Sequence, residues 1–156
     1  MFKFIVVLLV CAVQMASALT QETTKGKELS VTVAEAVAQK AIEYARTKSW
    51  KVSVAVVNSE GNLVFFKRDD GSYSGSIEAA QQKARSANAF RRPTSAFVEA
   101  LKQGRLGLFS IRDVVPVEGG VPILFKGEHV GGIGVSGAKA IEDEETANAA
   151  LTTLIK

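Results

Sequence analysis

The chain has 156 residues, of which 47% are hydrophobic and 22% are charged, and its formal net charge is +3. This length fits one domain with a core of its own, and the small positive charge argues against a nucleic-acid-binding protein. Cys11 is the one cysteine, so the chain has no internal disulfide and no cysteine metal site.

The first twenty residues, "MFKFIVVLLVCAVQMASALT", have the parts of a secretory signal peptide. Lys3 precedes a ten-residue apolar run at 4–13, and "ASA" at 16–18 has the small residues of a cleavage site. A bilayer span needs about 20 apolar residues, so this run is too short for one; a buried N-terminal helix is the alternative. We predict export to the periplasm or the extracellular medium, with no membrane span after the signal. The expected division is a signal peptide at 1–18, a polar leader at 19–30 and a single domain at 31–156.

The first half of the domain is predicted to form a helix and then a β-hairpin. Thr32 and Glu35 form a capping box with Thr32 as the N-cap, and apolar residues follow at helical spacing, which predicts a helix over 33–48. "VSVAVVN" predicts a strand at 52–58, and the turn "SEGN" followed by "LVFFKR" predicts its hairpin partner.

The second half is predicted to contain three helices and three strands. One helix runs from Ser76 to about Phe90 and ends before Pro93, and a shorter one runs from Thr94 to about Lys102. "VVPVEGG" and "VPILFKGEHVGGIGV" predict three short strands, the last two joined in a hairpin at Lys126-Gly127-Glu128. The acids at 142–145 favour the first turn of a final helix. The fold class is therefore α+β, with one five-stranded antiparallel sheet and helices packed on it.

Several motifs occur in the order typical of one family: "VVNSEGNL", "RDDGSYSGSIEAAQQKA", "RRPT", "GGVP" and "GGIGVSGA". Over about 31–151 the chain resembles the GlcG/HbpS family, the haem-degrading domain family, and is similar to the C-terminal module of PduO-type proteins. The resemblance implies a profilin-like fold, with a five-stranded antiparallel sheet between helices in α/β/α layers. It also implies a homo-oligomer, often an octamer, and a small-molecule ligand, with haem or iron as the cofactor of secreted members.

The stretch "GGIGVSGA" places Gly132, Gly134 and Gly137 at the G-x-G-x-x-G spacing of a dinucleotide-binding loop. Only nineteen residues follow Gly137, too few for the helix, second strand and acidic residue that such a site needs. The resemblance makes this stretch the last strand and its exit, and "EGGVP" the start of the neighbouring strand. Two alternatives stay open: these glycines are purely structural, or Gly119, Gly120 and Gly137 expose backbone in a pocket for a flat ligand.

Catalytic motifs are missing from the sequence. His129 is the only histidine, and neither a G-x-S-x-G elbow nor an H-E-x-x-H zinc motif occurs. We therefore predict no catalytic residue.

The "RRPT" motif contains the candidate haem-binding residues. The resemblance implies that Thr94 contacts the haem iron, although Thr94 is also placed to act only as a helix N-cap. Arg91 and Arg92 have guanidinium groups that suit haem propionates, or they are solvated charges at a helix end. We expect Thr94 to matter more for haem than His129 does.

Carboxylates and one lysine complete the candidate sites. Glu142 and Glu145 share a helix face and offer hard oxygen ligands to iron, with an acidic helix start as the alternative. Asp70 and Lys83 lie in motifs of the family and are candidate pocket residues.

The function that we expect is haem or iron binding by a secreted protein, in support of haem degradation or iron sequestration. An enzyme or enzyme accessory for a carboxylate or corrinoid, and a non-catalytic interaction module, are the alternatives.

Export makes a direct prediction about the N-terminus. The exported protein should begin near Leu19 and contain no thiol, because cleavage after Ala18 removes Cys11. N-terminal sequencing of the exported protein measures this. An intact Met1 in that material would contradict the assignment of a signal peptide.

Overall fold

The computed structural model describes residues 29–154. The predicted signal peptide and residues 19–28 of the polar leader lie outside the described residues. Within that range the elements, in chain order, are α1 (Val31–Thr47), β1 (Ser53–Asn58), β2 (Leu63–Arg68), α2 (Gly75–Phe90), α3 (Ser95–Lys102), a 3-10 turn (Leu106–Ser110), β3 (Gly120–Phe125), β4 (Glu128–Ser136) and α4 (Ala140–Leu154). None of the helices in this range combines the length and the apolar character needed to cross a membrane.

The four strands form one sheet in the order β2-β1-β4-β3, and every neighbouring pair is antiparallel. Both predicted hairpins are confirmed. The β1–β2 turn is held by the side chain of Asn58, whose Oδ1 accepts the backbone N–H groups of Glu60 at 3.1 Å and Asn62 at 2.9 Å. The α+β class with an antiparallel sheet flanked by helices is therefore confirmed, and the profilin-like comparison stays a prediction.

The predicted fifth strand, in "VVPVEGG", is wrong: in the described chain the sheet has four strands. Pro116 has no N–H to give to a neighbouring strand. The N–H of Val115 instead donates to the hydroxyl of Ser86 on α2 at 3.0 Å. The segment 114–117 is thereby attached to a helix and not to the sheet edge.

Alternate residues of β1 face two different helical layers. Val54 and Val56 lie in a core cluster with the apolar sides of α1 and α4. Ala55 and Val57 point to the opposite face, where they contact two alanines of α2. The expected α/β/α layering is confirmed, and the period-2 alternation of the strand explains it.

The start of α1 differs from its prediction. Ser30 is the N-cap, and its hydroxyl accepts the N–H of Val33 at 3.3 Å. Thr32 is already inside the helix, so the capping box of Thr32 and Glu35 is wrong. A serine two residues earlier provides the same side-chain acceptor and starts the helix two residues sooner.

The glycines of β4 let α2 lie directly on the strand. A Cβ at Gly134 would stand 2.0 Å from the carbonyl oxygen of Ala80, and one at Gly132 would stand 2.5 Å from that of Ala84. The helix backbone therefore occupies the space in which a flat ligand would have to lie at these two positions. Gly137 has a φ of +144° and forms the exit of the strand, as expected.

We predict that Gly134→Ala destabilises the protein by about 2–3 kcal/mol, because its methyl group would push α2 away from β4. Gly107→Ala is the matched control, since a Cβ there meets nothing within 4 Å. Its effect should stay within about 0.5 kcal/mol. Urea unfolding measures both, and an equal loss in the two variants would contradict the close contact between α2 and β4.

Candidate functional site

A buried ion pair joins α2 to α4. The Nζ atom of Lys83 lies 2.9 Å from Oδ2 of Asp143 and donates a second hydrogen bond to the carbonyl of Val135 at 3.0 Å. Lys83 is 3% exposed and Asp143 is 2% exposed. The other carboxylate oxygen, Oδ1, accepts the N–H of Ala138 at 3.0 Å. The pair therefore ties the end of β4 to the helices on both sides of the sheet.

Gly119 makes room for this pair. Its φ is +115°, and a Cβ at this position would stand 2.9 Å from Cβ of Asp143 and 3.0 Å from Nζ of Lys83. Any larger residue would be strained in that conformation and would press on the pair. Of the glycines predicted for a pocket, Gly119 is thus the one that lies against the ion pair.

Burial raises the pKa of the Asp143 carboxyl above its ordinary value, because the charged form loses its hydration. The ammonium of Lys83 and the N–H of Ala138 act in the opposite direction and do not fully compensate. The ion pair therefore contributes little net stability while it is intact, and either partner alone is costly to leave buried.

A cavity of about 290 Å³ opens beside the ion pair, between α2 and the segment 114–117. We call it the Lys83 pocket and define it by Tyr73, Lys83, Val115, Val117, Ser136 and Asp143, which all line it. The sequence predicted Lys83 for a pocket and missed the other five. Only the packing of α2 against β4 brings them together, since they come from separate parts of the chain.

Arg91 and Arg92 lie at the opposite end of α2. Arg91 ends the helix in a left-handed conformation, with φ of +50°, and both side chains are exposed. Arg92 donates from Nε to the carbonyl of Phe90 at 3.3 Å and lies over the ring of Phe97. Within residues 29–154 neither guanidinium forms an ion pair, so both charges are free to meet an anion.

Thr94 is fully buried and joins α3 to β3. Its hydroxyl accepts the N–H of Gly120 at 2.9 Å and donates to the carbonyl of Gly120 at 3.4 Å. Thr94 occupies the N-cap position of α3, as expected, but its side chain forms no capping hydrogen bond there and is bonded to Gly120 instead. Gly120 is predicted to line a pocket, but its N–H and its carbonyl are both bonded to Thr94.

His129 lies in the first part of β4, opposite Leu124 of β3. Its ring is partly exposed, but the Nε2 atom is buried and has no hydrogen-bond partner in the described part of the chain. Burial, and then the positive charge of Arg91, lower the pKa of the imidazole. The structure therefore brings the imidazole near an arginine from which it is distant in the sequence.

The carboxylates predicted as iron ligands, Glu142 and Glu145, have different hydrogen-bond partners. Glu142 accepts the N–H of Lys139 at 3.0 Å, while Glu145 accepts the hydroxyl of Tyr44 on α1. Among residues 29–154 no group of three His, Cys, Asp or Glu side chains could hold a metal ion. Asp70 is exposed and does not line the Lys83 pocket.

Asp69, next to Asp70, is the buried carboxylate of the "RDDGS" motif. It accepts hydrogen bonds from Nε of Arg46 at 3.1 Å and from the terminal nitrogen of the same guanidinium at 2.6 Å. These bonds lower the pKa of Asp69. Asp69 therefore fastens the end of β2 to α1, a structural role that the sequence did not distinguish from that of Asp70.

Breaking the Lys83–Asp143 pair should cost more than removing it. We predict that Lys83→Met lowers the free energy of unfolding by about 3–5 kcal/mol, because it leaves the Asp143 carboxylate buried without its partner. The double variant Lys83→Met/Asp143→Leu should regain most of that loss. Urea unfolding of the two variants measures the difference, and equal stability of single and double variants would contradict the pairing.

Comparisons with known proteins agree with this fold. A family model described as "Haem degrading protein HbpS-like" matches residues 29–152. Protein GlcG of Escherichia coli is 34% identical over 108 residues, which cover 69% of this chain and 81% of GlcG. The crystal structure of a double mutant of HbpS from Streptomyces reticuli has a TM-score of 0.78 at 35% identity and covers 85% of this chain and 91% of that one.

A crystal structure of PduOC in complex with haem matches with a TM-score of 0.69 at 24% identity, covering 78% of this chain and 94% of that one. At that identity the likeness concerns the fold. The family model spans almost all of the described residues, and GlcG and HbpS each exceed 30% identity over more than two thirds of the chain. The chain therefore belongs to the GlcG/HbpS family.

Proposed function

We propose that this protein binds haem at the end of α2, on a surface formed by Arg91, Arg92 and His129, which we call the arginine surface. The observation that carries the proposal is the pair of exposed guanidinium groups that have no acidic partner within residues 29–154. Guanidinium groups bind carboxylates through two parallel hydrogen bonds, so they suit the propionates of haem. The family description, haem degrading, supports haem over other dicarboxylates.

The size of the available space also favours this surface. The Lys83 pocket measures about 290 Å³, at the lower end of ligand pockets, which start near roughly 300 Å³. A macrocycle is too large to be enclosed there. The arginine surface is open to solvent and places no such limit, so the residues present fit haem at this end of α2.

Two side chains compete for contact with the iron. Thr94 would have to release Gly120, because its hydroxyl already makes two hydrogen bonds to that residue. Nε2 of His129 is buried and has no partner in the described part of the chain, so contact with iron requires the ring to turn outward but breaks no hydrogen bond of Nε2. A direct contact of Thr94 with iron stays a prediction; we propose His129 as the ligand because its ring is partly exposed while Thr94 is fully buried. Thr94 then serves the site by holding the "RRPT" segment, and so the arginines, against β3.

When bound, haem iron supplies the oxygen chemistry by which haem is degraded, and the side chains of this protein bind and orient it.

We further propose that the protein works after export and as a homo-oligomer. Leu106 and Phe109 are 67% and 70% exposed on the 3-10 turn, which supports a surface that another copy covers. Iron binding at Glu142 and Glu145 stays a proposal that rests on their residue type.

The arginine surface is tested by a haemin titration followed at the Soret band. We expect one haemin per chain, and we expect Arg91→Ala/Arg92→Ala to lower the affinity about tenfold to a hundredfold, because charge-assisted bonds to the propionates are lost. Arg85→Ala/Arg105→Ala removes the same charge from exposed positions elsewhere and should bind like the wild type. Equal loss in both double variants would show that only net charge matters and would contradict the site.

The iron contact is tested with two further variants in the same titration. We expect His129→Ala to move or abolish the Soret band of the bound haemin, since it removes the only imidazole of the chain. Thr94→Val keeps the shape of the side chain and should lower the melting temperature without moving the band. If the band changes in folded Thr94→Val and not in His129→Ala, Thr94 is the ligand and the assignment to His129 is wrong.

A further inference from the structure

The Lys83 pocket contains hydrogen-bonding groups that the protein does not use. An ammonium group has three donors, and Nζ of Lys83 makes two hydrogen bonds within residues 29–154. Ser136 is 3% exposed and lines the cavity, and its hydroxyl has no hydrogen-bond partner in that same range. Both groups therefore border a partly open cleft and have hydrogen-bonding capacity to spare.

Neighbouring serines show that this arrangement is unusual within the same layer. Ser53 is paired with Ser136 across the β1–β4 ladder, so the two side chains lie on the same face of the sheet. The hydroxyl of Ser53 bonds to that of Ser76 at 2.8 Å and lies 3.3 Å from that of Ser72. The hydroxyl of Ser136 has no such neighbour and opens onto the cavity, so its hydrogen-bond partner there is water or a ligand.

The charge balance restricts what that partner is. Lys83 and Asp143 neutralise each other at 2.9 Å, so the pocket carries no net charge. A ligand with a charge of either sign would leave one charge buried without a partner, which is costly. The ammonium of Lys83 and the hydroxyl of Ser136 can both donate hydrogen bonds. A matching ligand therefore has an acceptor oxygen and no net charge.

The walls of the pocket restrict the rest of the molecule. Val115 and Val117 lie on one side, and the ring of Tyr73 borders the opening. The volume of about 290 Å³ is roughly that of ten water molecules, at ~30 Å³ each. An occupant is therefore a small molecule with one polar end and a short apolar part.

We propose that the Lys83 pocket binds a small uncharged carbonyl compound, such as an amide, aldehyde or ketone. Its carbonyl oxygen accepts hydrogen bonds from Lys83 and Ser136, and its apolar part lies against Val115 and Val117. This site does not depend on the haem proposal, because its α2 residues lie near the middle of that helix and the arginine surface begins after its last residue.

The test is an NMR titration of the ¹⁵N-labelled protein with three probes of nearly equal shape: isobutyramide, isobutyrate and isobutylammonium. The backbone N–H of Ala138 is the reporter, because it is bonded to Asp143 in the wall of the pocket. Isobutyramide should give saturable shifts of the Ala138 and Ser136 resonances with a Kd of about 1–10 mM, and both ions should bind at least about tenfold more weakly. Saturation by isobutyrate at equal or lower concentration overturns the uncharged ligand, and the absence of saturable shifts up to about 50 mM overturns the site.

Variants locate the binding within the pocket. Ser136→Ala should weaken isobutyramide about threefold to tenfold, because it removes one hydrogen bond and leaves no protein group unpaired. Ala79→Leu places a larger side chain in the cavity and should abolish the shifts. Ser53→Ala is the matched control: its hydroxyl bonds to other serines and does not line the pocket, so affinity should be retained. Wild-type binding by both Ser136→Ala and Ala79→Leu overturns the proposal.

Discussion

The contact between α2 and the bare backbone of β4 determines where almost everything else in this protein lies. Gly132 and Gly134 leave no room for a side chain, and the alanines of α2 are small enough to meet them. The helix therefore sits deeper than side chains would allow, at backbone contact with the sheet. At that depth Lys83 can reach the carbonyl of Val135 at the far end of β4 and the carboxylate of Asp143 beyond it. With an ordinary residue at Gly134, the helix would stand off the sheet and the ion pair would lose its geometry.

The same helix separates two regions of different character. Beside its middle is a partly open cleft with a neutralised ion pair, where we propose a small uncharged ligand. At its end are exposed positive charges and an imidazole whose pKa is lowered by burial and by Arg91, where we propose haem. Gly119 and Gly120 lie between the two, since Gly119 contacts Lys83 and Gly120 is bonded to Thr94. One short stretch of backbone thus borders the ion pair at Gly119 and holds Thr94 at Gly120.

Prediction from sequence succeeded where the controlling interactions are local. The two hairpins, the antiparallel pairing and the approximate extents of the helices follow from turn residues and from the spacing of apolar side chains. It failed for the strand at 114–117, where the partner of the Val115 N–H is the hydroxyl of Ser86, 29 positions earlier in the chain. It also took Thr32 for the N-cap of α1, where the competing acceptor Ser30 decided against it. Thr94 has the N-cap position of α3, but its hydroxyl bonds to the distant Gly120 and caps no N–H of the helix.

The sequence by itself determined the family, the α+β class and the absence of standard catalytic motifs, because these depend on residue identity and order along the chain. It could name Lys83, Arg91 and Arg92 as candidates, but it could not say which candidates share a site. Asp143, Ser136 and His129 acquired their significance only in the tertiary structure. Burial, the pairing of charges and unsatisfied hydrogen bonds are properties of groups that meet in space. Here those groups come from positions up to 60 residues apart and meet because a helix packs against glycines.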